Sequence, residues 1–209
     1  MPSGASPAWR PGAALSREQL TAALVPVAEL APDTTTEDPG ATPAARASAS
    51  ASASGEAACA PVLAVLSEQP QASARRWYVS GNNVLGNRTL VDAAGLPEGR
   101  SRERFEALKD AVYGGGCTAF RPEGGTGGAR LRVEAVPSEV TEAPAVGFRI
   151  LSPTGAVNGA GGFTRVYLYA AVGDNRVLFL KGDDTAHAPA LPADLVTAQI
   201  HRLVTATSG

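Results

Sequence analysis

Residues 163–181 read FTRVYLYAAVGDNRVLFLK. Two runs rich in β-branched and aromatic residues, Phe163–Val172 and Arg176–Lys181, flank Gly173-Asp174-Asn175. Small and polar turn residues between two such runs are a compact hairpin signal. The stretch therefore predicts two antiparallel strands and sets the architecture around them. Upstream, Ala129–Val136 alternates Leu131, Val133 and Ala135 with Arg130, Arg132 and Glu134, a strand with one wet face. Val146–Leu151 turns Val146, Phe148 and Ile150 inward. Residues 74–80 and 83–91 predict two more strands around Gly81-Asn82, and a short strand is expected at 117–121.

Helical periodicity brackets these strands. Ser16-Arg17-Glu18-Gln19 has the form of a capping box, followed by Leu20, Leu24 and Val27 at helical spacing. Pro26 and Pro32 keep that helix short. Cys59 to Leu66 reads as a short apolar helix with Pro61 tolerated in its first turn. Ser101 is expected to cap an amphipathic helix with Phe105, Leu108 and Val112 on one face, stopping at Gly114-Gly115-Gly116. A last helix begins after Pro192 and aligns Val196, Ile200 and Leu203. Helices, then an antiparallel meander, then a closing helix predict an α+β fold: a twisted antiparallel sheet with helices packed on one side. Residues 1–13 are expected to be a disordered N-terminus. Residues 33–56, which include the run ASASASAS, are expected to form a flexible loop within one domain spanning 14–205, because they offer nothing to bury.

Composition narrows the function classes. The chain has 209 residues, 44% of them hydrophobic and only 5% aromatic, so the core must lean on Val, Leu and Ala. The formal charge of −2 speaks against nucleic acid and against a polybasic membrane-binding surface. Lys109 and Lys181 are the only lysines, and with the Ala, Gly and Pro excess this is the coding bias of a GC-rich genome. No apolar run approaches the ~20 residues of a membrane-spanning helix. Met1-Pro2-Ser3-Gly4 lacks the features of a signal peptide, which suits a cytoplasmic protein and a trimmed exported one equally. Cys59 and Cys117 are the only cysteines, far apart and without a Cys-x-x-Cys spacing. They suit either a structural disulfide in an oxidising compartment or two separate buried thiols.

Several segments taken in order resemble a known family. Leu15 to Leu24 has the form Leu-Ser-x-x-x-Leu-x-x-Ala-Leu. Glu56-Ala57-Ala58-Cys59-Ala60-Pro61-Val62 follows the variable loop, and an amphipathic helix runs into Cys117-Thr118-Ala119-Phe120. Ala171-Val172-Gly173-Asp174-Asn175 and Leu191-Pro192-Ala193-Asp194-Leu195-Val196-Thr197-Ala198-Gln199 close the set. Over roughly residues 14–205 the chain resembles the secreted lipoproteins of actinobacteria related to the extracellular sensor domain of mycobacterial-type serine/threonine kinases. The resemblance implies a sensor-like domain with a Cys59–Cys117 disulfide, extracellular and attached to the cell envelope, with a membrane tether outside the residues given. It implies a ligand-binding or sensing role without catalytic activity. The alternative is an envelope protein-interaction or structural lipoprotein.

Catalytic signatures are not found. There is no Gly-x-Ser-x-Gly, no Ser-x-x-Lys, no His-Glu-x-x-His and no P-loop. The glycine-rich stretches 124–128 and 159–162 read as hairpin loops. Asp183-Asp184-Thr185-Ala186-His187 has metal-ligating residue types but reads as a polar loop after a strand, and His201 as a solvated helix histidine. No cofactor and no metal is expected. The one constellation with binding chemistry is an Arg/Tyr face. Arg165, Tyr167 and Tyr169 share one side of a strand, and Arg130 and Arg132 one side of another. Were those strands neighbours, forked guanidinium donors beside flat phenol rings would suit a small anionic or sugar-like ligand. The plain alternative is the wet face of a half-buried sheet. An envelope protein is the other partner class.

Overall fold

A computed structural model describes residues 12–38, 57–81, 87–121, 130–152, 162–183 and 190–208. Its elements are α1 (Arg17–Ala23), β1 (Thr34–Glu37), α2 (Ala60–Ser67), β2 (Ala72–Ser80), β3 (Arg88–Gly95), α3 (Arg100–Tyr113), β4 (Ala119–Phe120), β5 (Leu131–Val136), β6 (Ala145–Ser152), β7 (Phe163–Val172), β8 (Asn175–Asp183) and α4 (Ala193–Ser208). The eight strands form one sheet in the order β1-β2-β3-β8-β7-β6-β5-β4, antiparallel throughout. The fold is α+β, and Cys59 and Cys117 are bonded with their Cα atoms 4.6 Å apart. The hairpin at 163–181 sits at its centre. Val172 faces Asn175 across a two-residue turn, and Gly173 takes φ +55°, a left-handed value that glycine adopts without strain.

The helices do not lie on one side of the sheet, as the sequence suggested. They cover both faces. β7 is apolar at both parities: Tyr167, Tyr169 and Ala171 pack with α2 and α3, whereas Leu168, Ala170 and Val172 pack with α1 and α4. A central strand that is apolar on both sides needs cover on both. On the first face Val62, Leu63 and Val65 of α2 and Phe105, Leu108 and Val112 of α3 meet Val146, Phe148 and Ile150 of β6. On the second, Leu20 and Leu24 at α1 and Val196, Ile200 and Leu203 of α4 meet Val91, Ala93, Val177 and Phe179.

Local signals mostly hold. The capping box of α1 is formed: Gln19 N donates to Ser16 Oγ, and Ser16 N to Gln19 Oε1. The helix stops at Ala23, because Leu24 is already extended ahead of Pro26. Ser101, however, does not cap α3. Gly99 does, at φ +71°, and its amide donates to Asp174 Oδ1. The Ser101 hydroxyl is buried inside the first turn and donates to the Asn175 carbonyl at 2.7 Å, so a tertiary acceptor has outcompeted the local one.

The loop expected over 33–56 needs correcting at its start. Thr34–Glu37 is the edge strand β1, paired with β2 from Thr34↔Ser80 to Glu37↔Trp77, and residues 39–56 lie outside the described residues. Three threonines in succession are good strand formers, a signal that the neighbouring low complexity hid. The N-terminus is likewise ordered at Gly12 and Ala13, while residues 1–11 lie outside the described residues. Asn175 holds this entry segment: its Oδ1 accepts from Leu15 N and its Nδ2 donates to the Ala13 carbonyl, both at 2.8 Å. Asp174 N donates to the Gly12 carbonyl. Gln199 performs the same service for the end of α1, accepting from Val25 N and donating to the Ala23 carbonyl. Gly12 also packs against α4, where an added Cβ would come within 3.2 Å of Thr207 Cβ.

Candidate functional site

Helix α4 lies over β7 and leaves the outer strands β5 and β6 without helical cover on that face. The strip left open forms part of the floor of a groove. Its floor is Gly147, Arg149, Val166, Tyr167 and Leu168; its walls are the β5–β6 connection (Val136 to Val140) and the start of α4 (Ala193, Val196 and Thr197) with Leu191 before it. The enclosed volume is about 500 Å³, within the usual range of small-molecule pockets. Gly147 keeps the floor low. A Cβ there would stand 2.6 Å from the Val136 carbonyl oxygen. The hydroxyl of Tyr113 bridges the same two strands from the other face, accepting from Gly147 N and donating to the Val136 carbonyl.

The groove is apolar at its centre and charged toward its open edge. Arg149, Glu134 and Arg132 share the groove's face of β6 and β5. Glu134 is held between the two arginines: Oε2 accepts from Arg149 Nε at 2.7 Å, and Oε1 lies 3.0 Å from Arg132 Nη2. Arg149 engages Glu134 through Nε and Nη2, which leaves Nη1 outside that pair. Glu139 stands exposed on the opposite rim.

The Arg/Tyr face read from the sequence is only partly assembled. Arg165 and Tyr167 do meet. Burial raises the Tyr167 phenol above its ordinary value, and the charge and hydrogen bond of Arg165 oppose that rise. Arg165 is exposed and lies over the Phe163 ring, 4.7 Å from its centroid. The Tyr167 ring is not open to a ligand on this side, because it stacks on Phe148 at 5.0 Å. Tyr169 is fully buried, its hydroxyl directed at the Ser101 carbonyl, and burial pushes its phenol up to about 12. Arg130 and Arg132 are not their neighbours. β6 separates β5 from β7, and Arg132 stands on the opposite face from Arg165. Arg130 precedes β5, exposed, and donates to the Ala119 carbonyl. The five residues therefore form no common face, because the strands carrying them are not adjacent and their parities are opposite.

Arg149 and the apolar lining were missed as a set. Alternation along β6 placed Arg149 opposite Phe148, but nothing local states that α4 stops short of it. Arg176 was also missed. It is fully buried under the α2/α3 face. Its Nε donates to Glu68 Oε2 at 2.9 Å and its Nη1 to the Asp92 carbonyl at 2.8 Å, with Nη2 3.4 Å from Asp92 Oδ2. Arg75 pairs with Asp92, and Arg104 with Glu68. Burial works against the Arg176 charge, but the Asp92 and Glu68 carboxylates outweigh it and raise the guanidinium above its ordinary value. An arginine in phase with Leu178 and Leu180 was the available signal. Among the described residues Arg75 Nε, Arg104 Nε and Asp92 Oδ1 are buried and find no hydrogen-bond partner.

Among the described residues no group of three His, Cys, Asp or Glu gathers. Residues 184–189 of the polar loop lie outside them. His201 is exposed and its Nδ1 is 3.1 Å from Glu142 Oε2. No helix among the described residues is long and apolar enough to cross a membrane. No protein-family model matches the chain, and searches of curated proteins and of solved structures find no match either.

Proposed function

We propose that this chain is an extracytoplasmic, membrane-tethered domain that binds or senses a ligand and carries no catalytic activity. The observation that carries the reading is the groove of about 500 Å³ on the strip of sheet that α4 leaves open. Apolar floor residues with few polar groups at the edge are the ordinary make-up of a ligand pocket. The bonded Cys59–Cys117 pair supports an oxidising compartment, since such bonds persist outside the reducing cytosol. The resemblance to secreted sensor-like lipoproteins supports the tether.

The test uses a neutral apolar fluorophore, N-phenyl-1-naphthylamine. The protein is expected to raise its fluorescence saturably under native conditions. Ala193→Trp, at an exposed position on the groove wall, is expected to abolish the rise while the melting temperature stays within a few degrees. Absence of a saturable signal, or a signal that survives Ala193→Trp, overturns the groove as the binding site. Thiol counting on denatured, unreduced protein from its native cells tests the compartment: two free thiols there would remove the case for export.

A further inference from the structure

We infer that the groove takes a single-chain anionic amphiphile, an aliphatic chain ending in a carboxylate or phosphate, with its charged end on Arg149. This rests on the groove being the binding site, as proposed above. The aliphatic chain is matched by the lining: Val136, Val140, Val166, Leu168, Leu191 and Val196 offer aliphatic surface, and Tyr167 in the floor has its ring stacked on Phe148. A flat heterocycle or a sugar would find no platform there, whereas methylenes gain from any apolar wall.

The charged end follows from the open edge. Arg132 and Arg149 flank a single carboxylate, Glu134, so the three side chains carry a net positive charge. Glu134 takes Nε and Nη2 of Arg149 and fixes the guanidinium plane. Nη1 is left to donate, and a charge-assisted bond to an oxyanion is the strong use of such a donor. Glu139 on the far rim repels an anion. The groove is therefore polar in one sense only: head toward β5 and β6, tail between α4 and the 137–140 connection.

The experiment displaces the neutral fluorophore with octanoate, decanoate and laurate, each below its micelle concentration. Each added methylene is expected to tighten binding about fourfold, which is ~0.8 kcal/mol per buried CH₂ converted. Dodecyl phosphate should compete like laurate, and dodecyltrimethylammonium at least tenfold more weakly. Arg149→Gln should weaken laurate about tenfold and leave the cation unchanged. Amide shifts in NMR spectra should centre on Arg149, Val166 and Leu168. A second arm adds vesicles of phosphatidylglycerol. Laurate binding without cosedimentation assigns a free single-chain amphiphile and keeps the inference; cosedimentation with groove shifts that laurate does not displace assigns a two-chain bilayer lipid and overturns it. If the fluorophore binds and Ala193→Trp blocks it, yet no amphiphile displaces it or the cation competes as well as laurate, the ligand class is wrong and the groove stands. If the fluorophore does not bind, both fall.

Discussion

The two faces of the sheet are built by opposite strategies. Under α2 and α3 the surface is closed, and the closure is reinforced twice. The Cys59–Cys117 bond fixes the start of α2, and Glu68, just past its end, is bound by the buried Arg176. Under α1 and α4 the cover is shorter than the sheet, the buried contacts are apolar or hydrogen bonds to backbone carbonyls and amides, the ion pairs Arg202–Glu29 and Arg149–Glu134 are part-exposed, and a strip of β5 and β6 stays open. This fold concentrates its disulfide and its buried ion cluster on the face that has no groove, and keeps the ion pairs of the groove face part-exposed. The groove face is left to simpler packing, where a ligand could be admitted without breaking a buried charge.

The largest effect should come from the bracing. Arg176→Met leaves Asp92 and Glu68 buried with too few partners and is expected to lower unfolding stability by about 3–5 kcal/mol in urea titrations. Replacing Glu68, Asp92 and Arg176 together by apolar residues should cost less than that single change. If Arg176→Met is harmless, the cluster is not a brace and the contrast between the faces collapses.

That cluster also shows where reading the sequence ran out. The capping box at Ser16, the face of Phe105, Leu108 and Val112, and the turn at Gly173-Asp174 are local patterns, and all appear where expected. The α+β class follows from them. What was not legible depends on which strands become neighbours. Arg132 and Arg165 look like parts of one surface until β6 is placed between them and the parities are counted. Arg176, Asp92 and Glu68 lie on β8, on β3 and just after α2, and no local period links them. The groove is a difference between the length of a helix and the width of a sheet, a quantity that no single stretch encodes.

Second in size is the disulfide. Its closed loop of 58 residues corresponds to roughly 4 kcal/mol in the chain-entropy model, with strain commonly reducing the gain. Cys59→Ser with Cys117→Ser should lower the urea midpoint accordingly, while fluorophore binding to the folded protein is retained. Loss of groove binding at denaturant-free, folded conditions would mean that the two faces are coupled.

A third effect lies in alkali. An unfolded tyrosine ionises near pH 10, whereas folded Tyr169 holds its proton to about 12. Tyr167 and Tyr78 are shifted in the same direction, by burial above all. Between these values the folded state binds more protons than the unfolded one, so stability present below pH 10 is lost as pH rises toward 12. Tyr169 alone corresponds to about 3 kcal/mol across that window. Ultraviolet titration should show its phenolate appearing together with unfolding; early ionisation in a still-folded protein would contradict the closed face.

The smallest effect is expected on the open face. Arg149→Gln breaks a part-exposed ion pair and should cost under about 1 kcal/mol. A loss as large as that of Arg176→Met would show that the groove edge is structural, and the asymmetry between the faces would have to be abandoned.

Gly12 and Thr207 lie side by side. For anything joined to this chain, the entrance and the exit are therefore one doorway. A pull between the two would load that corner first, where Asp174 and Asn175 hold Gly12 and Ala13. By the same token the chain could be spliced into a loop of another protein, or re-closed through a short bridge and opened elsewhere, with little distortion.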